Sequence, residues 1–333
     1  MKVAVLSPVA WRTPPRHYGP WEQVASNIAE GLVKRGIDVS LFATGDSITG
    51  SKLFSVCESG YEEDRSQDAK VLECLHISNL VERAGDFDII HNNFDFLPLT
   101  YSGLVKTPFI TTIHGFSSPK IIPVYKKYNS RGHYVSISNS DRSPELNYLT
   151  TVYNGLNTQQ FIFNDRPKDY LLYFGRIHHD KGTAEAIEIA RKSKRKLLIA
   201  GLIQDGRYFD ERVNPHLGPD VEYIGNAEPA QRNELLGNAY ALLHPINFNE
   251  PFGMSVAEAM LCGTPVIAFN KGSMPELIKH GQTGFLVNSV DEAVDAVTAI
   301  INLNRLDCRR WSEQRFSCDK MVHDYLELYG RII

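Results

Sequence analysis

The sequence predicts an α/β protein built from two doubly wound domains in tandem. Three observations lead there. Short apolar runs bounded by turn residues alternate with amphipathic stretches along the chain, the pattern of a parallel sheet wrapped by helices. The alternation pauses at Asn154, Gly155 and the polar stretch to Lys168, then restarts. A length of 333 residues accommodates two domains of ordinary size.

In the first domain, residues 1–155, strands are expected at Lys2 to Leu6, Asp38 to Ala43, Phe87 to His91, Phe109 to Ile113, Tyr134 to Ile137 and Thr151 to Tyr153. A helix from about Glu22 to Arg35 carries Val24, Ile28, Leu32 and Val33 on one face and stops before Gly36, a C-cap residue. Residues 156–168, with Asn164, Asp165 and Pro167, form the expected linker. In the second domain, residues 169–310, strands are expected from Tyr170 and at Lys196 to Ala200, Val221 to Ile224, Tyr240 to His244, Pro265 to Ala268 and Phe285 to Val287. Residues 311–333 form a terminal helix with Phe316, Met321, Tyr325 and Leu328 as its stripe. Two such domains are expected to face each other across a cleft, with ligands at the carboxyl ends of the strands.

Composition narrows the class. With 43% hydrophobic and 22% charged residues the chain reads as a soluble globular protein. Lys and Arg number 35 against 39 Asp and Glu, a balance that gives no general affinity for nucleic acid. The five cysteines contain no C-x-x-C pair, which argues against a disulfide framework or structural zinc and for a reduced, cytoplasmic setting. The first apolar run, Val3 to Leu6, is too short for a signal peptide, and no stretch approaches the roughly 20 apolar residues of a membrane span. Any membrane contact is therefore expected to be peripheral.

Chemistry concentrates in the second domain. Gly175 and Arg176 are followed by Lys181 and Gly182, and Glu250 is separated from Glu258 by the seven residues Pro251 to Ala257. Pro251 falls where a first helical residue belongs, Gly253 lets backbone pass close to a ligand, and Val256 to Leu261 continues as helix. That leaves Glu250 in the preceding loop and Glu258 about two turns inside. The unpaired N–H groups around Phe252, Gly253, Met254 and Ser255 form an anion site at the positive end of the helix dipole. Arg176 grips a phosphate with its planar fork and Lys181 adds a mobile point charge. Each carboxylate accepts hydrogen bonds from hydroxyls, one from a sugar and one from a ribose. The plain alternative makes these residues solvated loop cations and helix-surface acids. The occurrence of both pairs, each after a predicted strand, weighs against it, and the set outlines a nucleotide-sugar site.

These residues resemble the retaining nucleotide-sugar glycosyltransferases of family 4, which have the GT-B fold. The resemblance extends to Met1–Leu6, Gly45–Ser47, Thr111–Gly115, Tyr153–Gly155, Cys262–Ile267, Gly281–Leu286 and the stretch from Arg315 to Tyr325. It implies that the terminal helix crosses back onto the first domain and that His114 contacts the transferred sugar. Gly19, in the loop from Pro14 to Glu22, is implied to bring backbone N–H groups near the donor phosphate or the acceptor. Pro20 departs from the paired glycines of many relatives and removes one such donor. Gly201 and Tyr223-Ile224 are placed at the rim of the nucleotide pocket, the latter supplying backbone groups to the base.

The implied reaction moves a hexose, foremost glucose from UDP-glucose, onto a hydroxyl of a saccharide or lipid-linked saccharide with retention of configuration. Arg176, Lys181 and the helix N-terminus stabilise the leaving diphosphate, Glu250 holds the sugar hydroxyls and Glu258 the ribose. No metal or other cofactor is expected. Asp86-Phe87-Asp88 is read as a turn entering a strand, and the adjacent His178 and His179 have no third ligand in the sequence. His91, at a strand end, stays open between structural and functional roles. Lys192, Lys194, Arg195 and Lys196 are read as a solvated helix end, and Pro119 to Tyr128, with Lys126 and Lys127, as a surface for a lipid-linked or oligosaccharide acceptor.

Several alternatives stand beside this reading. One is a GDP-mannose-dependent mannosyltransferase, and another is a sugar phosphorylase. A third is a non-catalytic nucleotide-sugar sensor or scaffold subunit. A glycoside hydrolase using Glu250 and Glu258 is disfavoured, because eight helical residues rise roughly 12 Å against carboxylate spacings of about 5–9.5 Å. Polysaccharide or glycoconjugate biosynthesis is the pathway class the resemblance implies.

Overall fold

A computed structural model describes residues 1–17, 19–116, 118–227 and 229–333. The chain divides into two units, Met1–Leu156 with Cys318–Ile333, and Asn157–Ser317.

The first unit contains β1 (Lys2–Leu6), α1 (Pro20–Val33), β2 (Asp38–Phe42), β3 (Lys52–Phe54), α2 (Ala69–Val81), β4 (Ile89–Asn92), β5 (Phe109–Ile113), α3 (Ile122–Lys127), β6 (Tyr134–Ser136) and β7 (Tyr148–Thr151). Among the described residues its strands form a parallel sheet in the order β3-β2-β1-β4-β5-β6-β7. Both faces are covered, which is why Val3–Leu6 of β1 reads as an unbroken apolar run. Val3, Val5 and Leu41 face α1 through Val24, Ile28 and Leu32, whereas Ala4, Leu6, Phe42 and Ile90 pack with Ile77 and Leu80 of α2.

The second unit contains β8 (Tyr170–Phe174), α4 (Thr183–Lys192), β9 (Lys196–Ala200), α5 (Gly206–Tyr208), β10 (Val221–Tyr223), α6 (Pro229–Asn238), β11 (Ala241–His244), α7 (Met254–Leu261), β12 (Val266–Phe269), α8 (Met274–Leu277), β13 (Gly284–Val287), α9 (Val290–Ala299) and α10 (Arg305–Phe316). Its parallel sheet runs β10-β9-β8-β11-β12-β13. The last helix, α11 (Cys318–Ile332), returns to the first unit.

Three expectations need correction. The segment expected as a linker, residues 156–168, belongs to the second unit from Asn157 onward. Arg309 donates to Phe161 O at 2.7 Å, Asn164 N to Cys262 O at 3.1 Å and Lys168 N to Asn238 O at 2.7 Å, which gives the polar backbone there its partners. The terminal segment is two helices, because Ser317 is extended (φ −79°, ψ 150°) and lets α10 stay on α7 through Ser312 Oγ to Ala257 O, 2.9 Å. The strand expected at Thr151 to Tyr153 is Tyr148–Thr151, paired with β6 across a bulge at Tyr134 and Val135. Among the described residues no helix is long and apolar enough to cross a membrane.

α11 is bound to the first sheet by more than apolar contact. Tyr325 and Tyr329 are both buried; the Tyr325 hydroxyl meets Thr112 Oγ1 at 2.6 Å and the Tyr329 hydroxyl meets His91 Nδ1 at 2.6 Å. Thr112 in turn meets His91 Nε2 at 2.8 Å. Both nitrogens of His91 are therefore engaged, which makes it a structural residue. Tyr329→Phe should lower stability by about 1–3 kcal/mol, because it leaves a fully buried ring nitrogen without a partner. Denaturant unfolding followed by far-UV circular dichroism checks this; an unchanged midpoint would show that α11 does not depend on the network.

Candidate functional site

In the second sheet, β9 and β10 lie on one side of β8 and β11 to β13 on the other. The strand order reverses between β8 and β11, and the carboxyl ends of the strands at such a reversal are where ligands of these sheets bind. Gly175 and Arg176 follow β8, Gly201 follows β9, and the loop from His244 to Glu250 follows β11.

The loops after β8 and β11 are stitched together. Asn247 N donates to Asp180 O at 2.7 Å. A Cβ at Gly182 would lie 1.8 Å from Pro245 O, so only glycine allows the two backbones this approach, and its φ of +75° is the left-handed conformation glycine favours. Lys181 consequently reaches across, its Nζ 2.6 Å from Glu250 Oε2 and 4.4 Å from the centre of the Phe248 ring. Glu250 is fixed from the other side as well. Ser273 N donates to Glu250 O at 3.0 Å, and Gly272 (φ +54°) passes so close that a Cβ would lie 2.4 Å from Glu250 N. His244 Nε2 lies 3.8 Å from the same carboxylate. Burial, with Lys181 adding to it, holds that imidazole down at about 3, so it is neutral at physiological pH.

The expected helix start shifts. α7 begins at Met254 with Gly253 (φ +92°) as N-cap and no capping side chain. Pro251 and Phe252 remain in the loop, held where Ser273 Oγ donates to Phe252 O at 2.6 Å. The N–H groups of Met254 and Ser255 are thus the ones at the helix entrance. Glu258 lies about one turn inside, buried, with Oε1 3.2 Å from Arg232 Nη1. Burial raises its carboxyl and Arg232 partly offsets this. Arg232, from α6, was invisible to motif reading.

The remaining second-unit residues sort as follows. Arg176 donates to Gln204, which ties the β8 and β9 loops. Tyr223 donates to Gly201 O at 3.0 Å. Ile224 N donates to Ile199 O at 2.9 Å, which withdraws that N–H from base recognition. His178 and His179 do acquire a third neighbour. Asp205, distant in sequence, places a carboxylate oxygen within 4.8 Å of a ring nitrogen of each, while Asp180 Oδ1 stands 2.6 Å from His178 Nδ1. The basic run is paired at the surface, Lys192 with Glu188 and Asp291, Arg195 with Asp169 and Lys196 with Glu222. Asp88 accepts from Lys2 N at 2.7 Å.

The first sheet reverses in the same way between β1 and β4. Here lies an open cavity of about 490 Å³, lined by Gly19, Trp11, Trp21, Tyr61, Phe94 and Phe96 and by the carboxylates Glu22, Glu73 and Asp95. Gly19 is the N-cap of α1 and Pro20 its first residue; Tyr18 of this loop lies outside the described residues. The anionic lining weighs against a phosphate at Gly19. His114 follows β5, buried, with Nε2 3.1 Å from Asn93 Oδ1 and its ring stacked 5.6 Å from that of Trp21. Burial holds it at about 3, again neutral. Lys126 of the expected acceptor surface pairs with Glu145 at 2.7 Å.

Residues 157–316 match the family model of glycosyl transferases group 1. An uncharacterized glycosyltransferase of Methanocaldococcus jannaschii is 23% identical over 99% of this chain and 98% of its own. The chain superposes on a glycosyltransferase involved in avilamycin A biosynthesis with a TM-score of 0.73 at 23% identity, covering 99% of this chain and 97% of that one. It superposes on Anabaena Alr3699/HepE, solved in complex with UDP and glucose, with a TM-score of 0.74 at 18% identity, covering 99% of this chain and all of that one, 100%.

Glu22 offers a test of the first-unit geometry. Burial pushes its carboxyl from the ordinary 4.5 up to about 7. The folded state therefore binds more protons than the unfolded state between these values, so the group's contribution is fully present below 4.5 and is lost as pH rises through 7. Glu22→Gln should be more stable than the parent at pH 8, by roughly 3 kcal/mol, with the advantage gone at pH 4. Urea unfolding at the two pH values measures it; equal differences at both would refute the buried carboxylate.

Proposed function

We propose that this chain, a glycosyl transferase of group 1 with the GT-B fold, transfers a hexose from a UDP-sugar, foremost UDP-glucose, to a saccharide hydroxyl with retention at the anomeric carbon, as in glycosyltransferase family 4. The observation that carries this reading is the contact between Lys181 Nζ and Glu250 Oε2, 2.6 Å, at the reversal of the second sheet. A nucleotide-sugar presents phosphate oxygens and sugar hydroxyls a few bonds apart. A cation and a carboxylate side by side match that juxtaposition, which neither a bare nucleotide nor a free sugar requires. The UDP and glucose held by the Anabaena neighbour support the choice of base and sugar.

As the bond from the anomeric carbon to the diphosphate oxygen breaks, negative charge grows on the leaving phosphate. Arg176, Lys181 and the N–H groups of Met254 and Ser255 receive it. Glu250 exchanges Lys181 for the sugar hydroxyls, and Glu258, oriented by Arg232, accepts from the ribose. The acceptor hydroxyl oxygen bonds the anomeric carbon on the face the diphosphate leaves, and its proton passes to the departing phosphate oxygen. His114, neutral, serves as a hydrogen-bonding group for the transferred sugar. Charge neutralisation by Arg176 and Lys181 leaves no step that calls for a metal.

Thermal unfolding with UDP, GDP, ADP and their glucose and mannose conjugates tests the donor assignment. UDP and UDP-glucose should raise the midpoint, and Lys181→Ala should abolish the shift and lower turnover about a hundredfold or more. A shift with GDP-mannose alone would make the enzyme a mannosyltransferase, and none with any nucleotide would favour a non-catalytic scaffold. Turnover should be unchanged after EDTA treatment. A loss restored by a divalent cation would overturn metal independence and direct attention to His178, His179 and Asp205.

A further inference from the structure

The cavity in the first unit has a composition that the donor chemistry does not use. It is lined by chain leaving β1 and β4, the two strands that flank the reversal of the first sheet, together with Tyr61 and with Glu73 of α2. Five aromatic side chains, Trp11, Trp21, Tyr61, Phe94 and Phe96, supply its walls, and Glu22, Glu73 and Asp95 its charge. Among the described residues that line it there is no Lys, Arg or His. The nearest cations of the same loop are directed elsewhere: Arg12 donates to Pro14 O at 2.9 Å, and Arg16 pairs with Glu63 at 2.8 Å and Asp46 at 3.1 Å.

Each carboxylate has neutral partners and no counter-charge. Glu22, 3% exposed, accepts from backbone N–H groups, that of Trp11 among them. Asp95 accepts from the Tyr125 hydroxyl at 2.5 Å and Glu73 from the Tyr61 hydroxyl at 3.2 Å. Burial raises all three carboxyls, Asp95 to about 6. Asp95 is also held at φ +50°, a conformation that costs an aspartate about 1 kcal/mol. Three largely buried acids gathered around one cavity, without a cation among the described residues that line it, is an unfavourable arrangement. A ligand that brings positive charge relieves it, and aromatic walls favour a cation with an apolar face.

We propose that this cavity takes the acceptor, and that the acceptor carries a protonated amine: an amino sugar or aminocyclitol whose ammonium sits among Glu22, Glu73 and Asp95 and whose ring packs on the tryptophans. The inference rests on the transferase reading, which requires an acceptor with a free hydroxyl.

The test uses the full chain at pH 7.5 with glucosamine, glucose and N-acetylglucosamine as probes, binding being followed by ligand-observed NMR titration. Glucose lacks the amine, and N-acetylglucosamine keeps the nitrogen but not its charge. Glucosamine should bind on the order of tenfold more tightly than either, the difference between a charge-assisted and a neutral hydrogen bond. Glu73→Gln and Asp95→Asn should each reduce that preference while keeping the thermal midpoint near that of the parent. Equal binding of the three sugars, no saturable binding of glucosamine, or a preference that survives both substitutions would overturn the proposal. UDP affinity on the same samples reports on the nucleotide-sugar reading alone. Intact UDP binding without amine preference defeats only this inference, whereas amine preference without UDP binding defeats only the donor assignment.

Discussion

Everything functional in this chain hangs on the handedness of parallel β-α-β connections. A right-handed crossover fixes the face on which each helix lies. A sheet that is to be covered on both faces must therefore extend first to one side of its opening strand and then to the other. The two units obey this separately, with the reversal next to β1 in one and next to β8 in the other. At each reversal the two flanking strands send their connections to opposite faces, and backbone and side chains at the strand ends become available to a ligand. The same geometry has been given opposite chemistry in the two halves. Arg176 and Lys181 border the second opening, while Glu22, Glu73 and Asp95 line the first.

The second opening is held in a charged but balanced condition. Lys181 and Glu250 are each largely withdrawn from solvent, at 13% and 14% exposure, so either alone would be strongly unfavourable. Their contact resolves this without filling the site. Binding then becomes an exchange of partners, phosphate for carboxylate on one side and hydroxyl for ammonium on the other. The surrounding backbone supplies the rigidity such an exchange needs, through Gly182 against Pro245 and Gly272 against Glu250. His244, kept neutral beside them, adds no competing charge.

The two-sheet architecture was legible in the sequence because doubly covered strands must be largely apolar: Lys2–Leu6, Phe109–Ile113, Tyr170–Phe174 and Lys196–Ala200 are found with the bounds their composition predicts. What escaped had weak or local signals. β3 is only three residues. α2 exposes Val71 and Leu75, which blurs its apolar stripe, although Asp68 caps it by accepting from Val71 N at 3.1 Å. Glu250 and its cations could be named from motif spacing, since a loop of fixed length limits what they can reach. Arg232 beside Glu258, Asp205 beside the paired histidines, and the acids around Gly19 are brought together only by the sheet order, and residues that far apart leave no trace in a local pattern. Pro251 was misplaced for a related reason. A proline can begin a helix, but here Ser273 and Gly272, from beyond β12, hold the loop extended for three more residues.

α11 has a bearing on how the protein is made. The first 156 residues contain every strand of their sheet, yet the core that covers one face is completed by Met321, Val322, Tyr325 and Tyr329. During synthesis these residues leave the ribosome after the whole of Asn157–Ser317. The second unit can therefore finish folding while the earlier-made unit still presents an uncovered apolar face and a His91 whose Nδ1 lacks its Tyr329 partner. Vectorial synthesis would ordinarily favour the N-terminal half; here it reverses the order of completion. A nascent chain stalled before residue 318 is the species on which a chaperone would act.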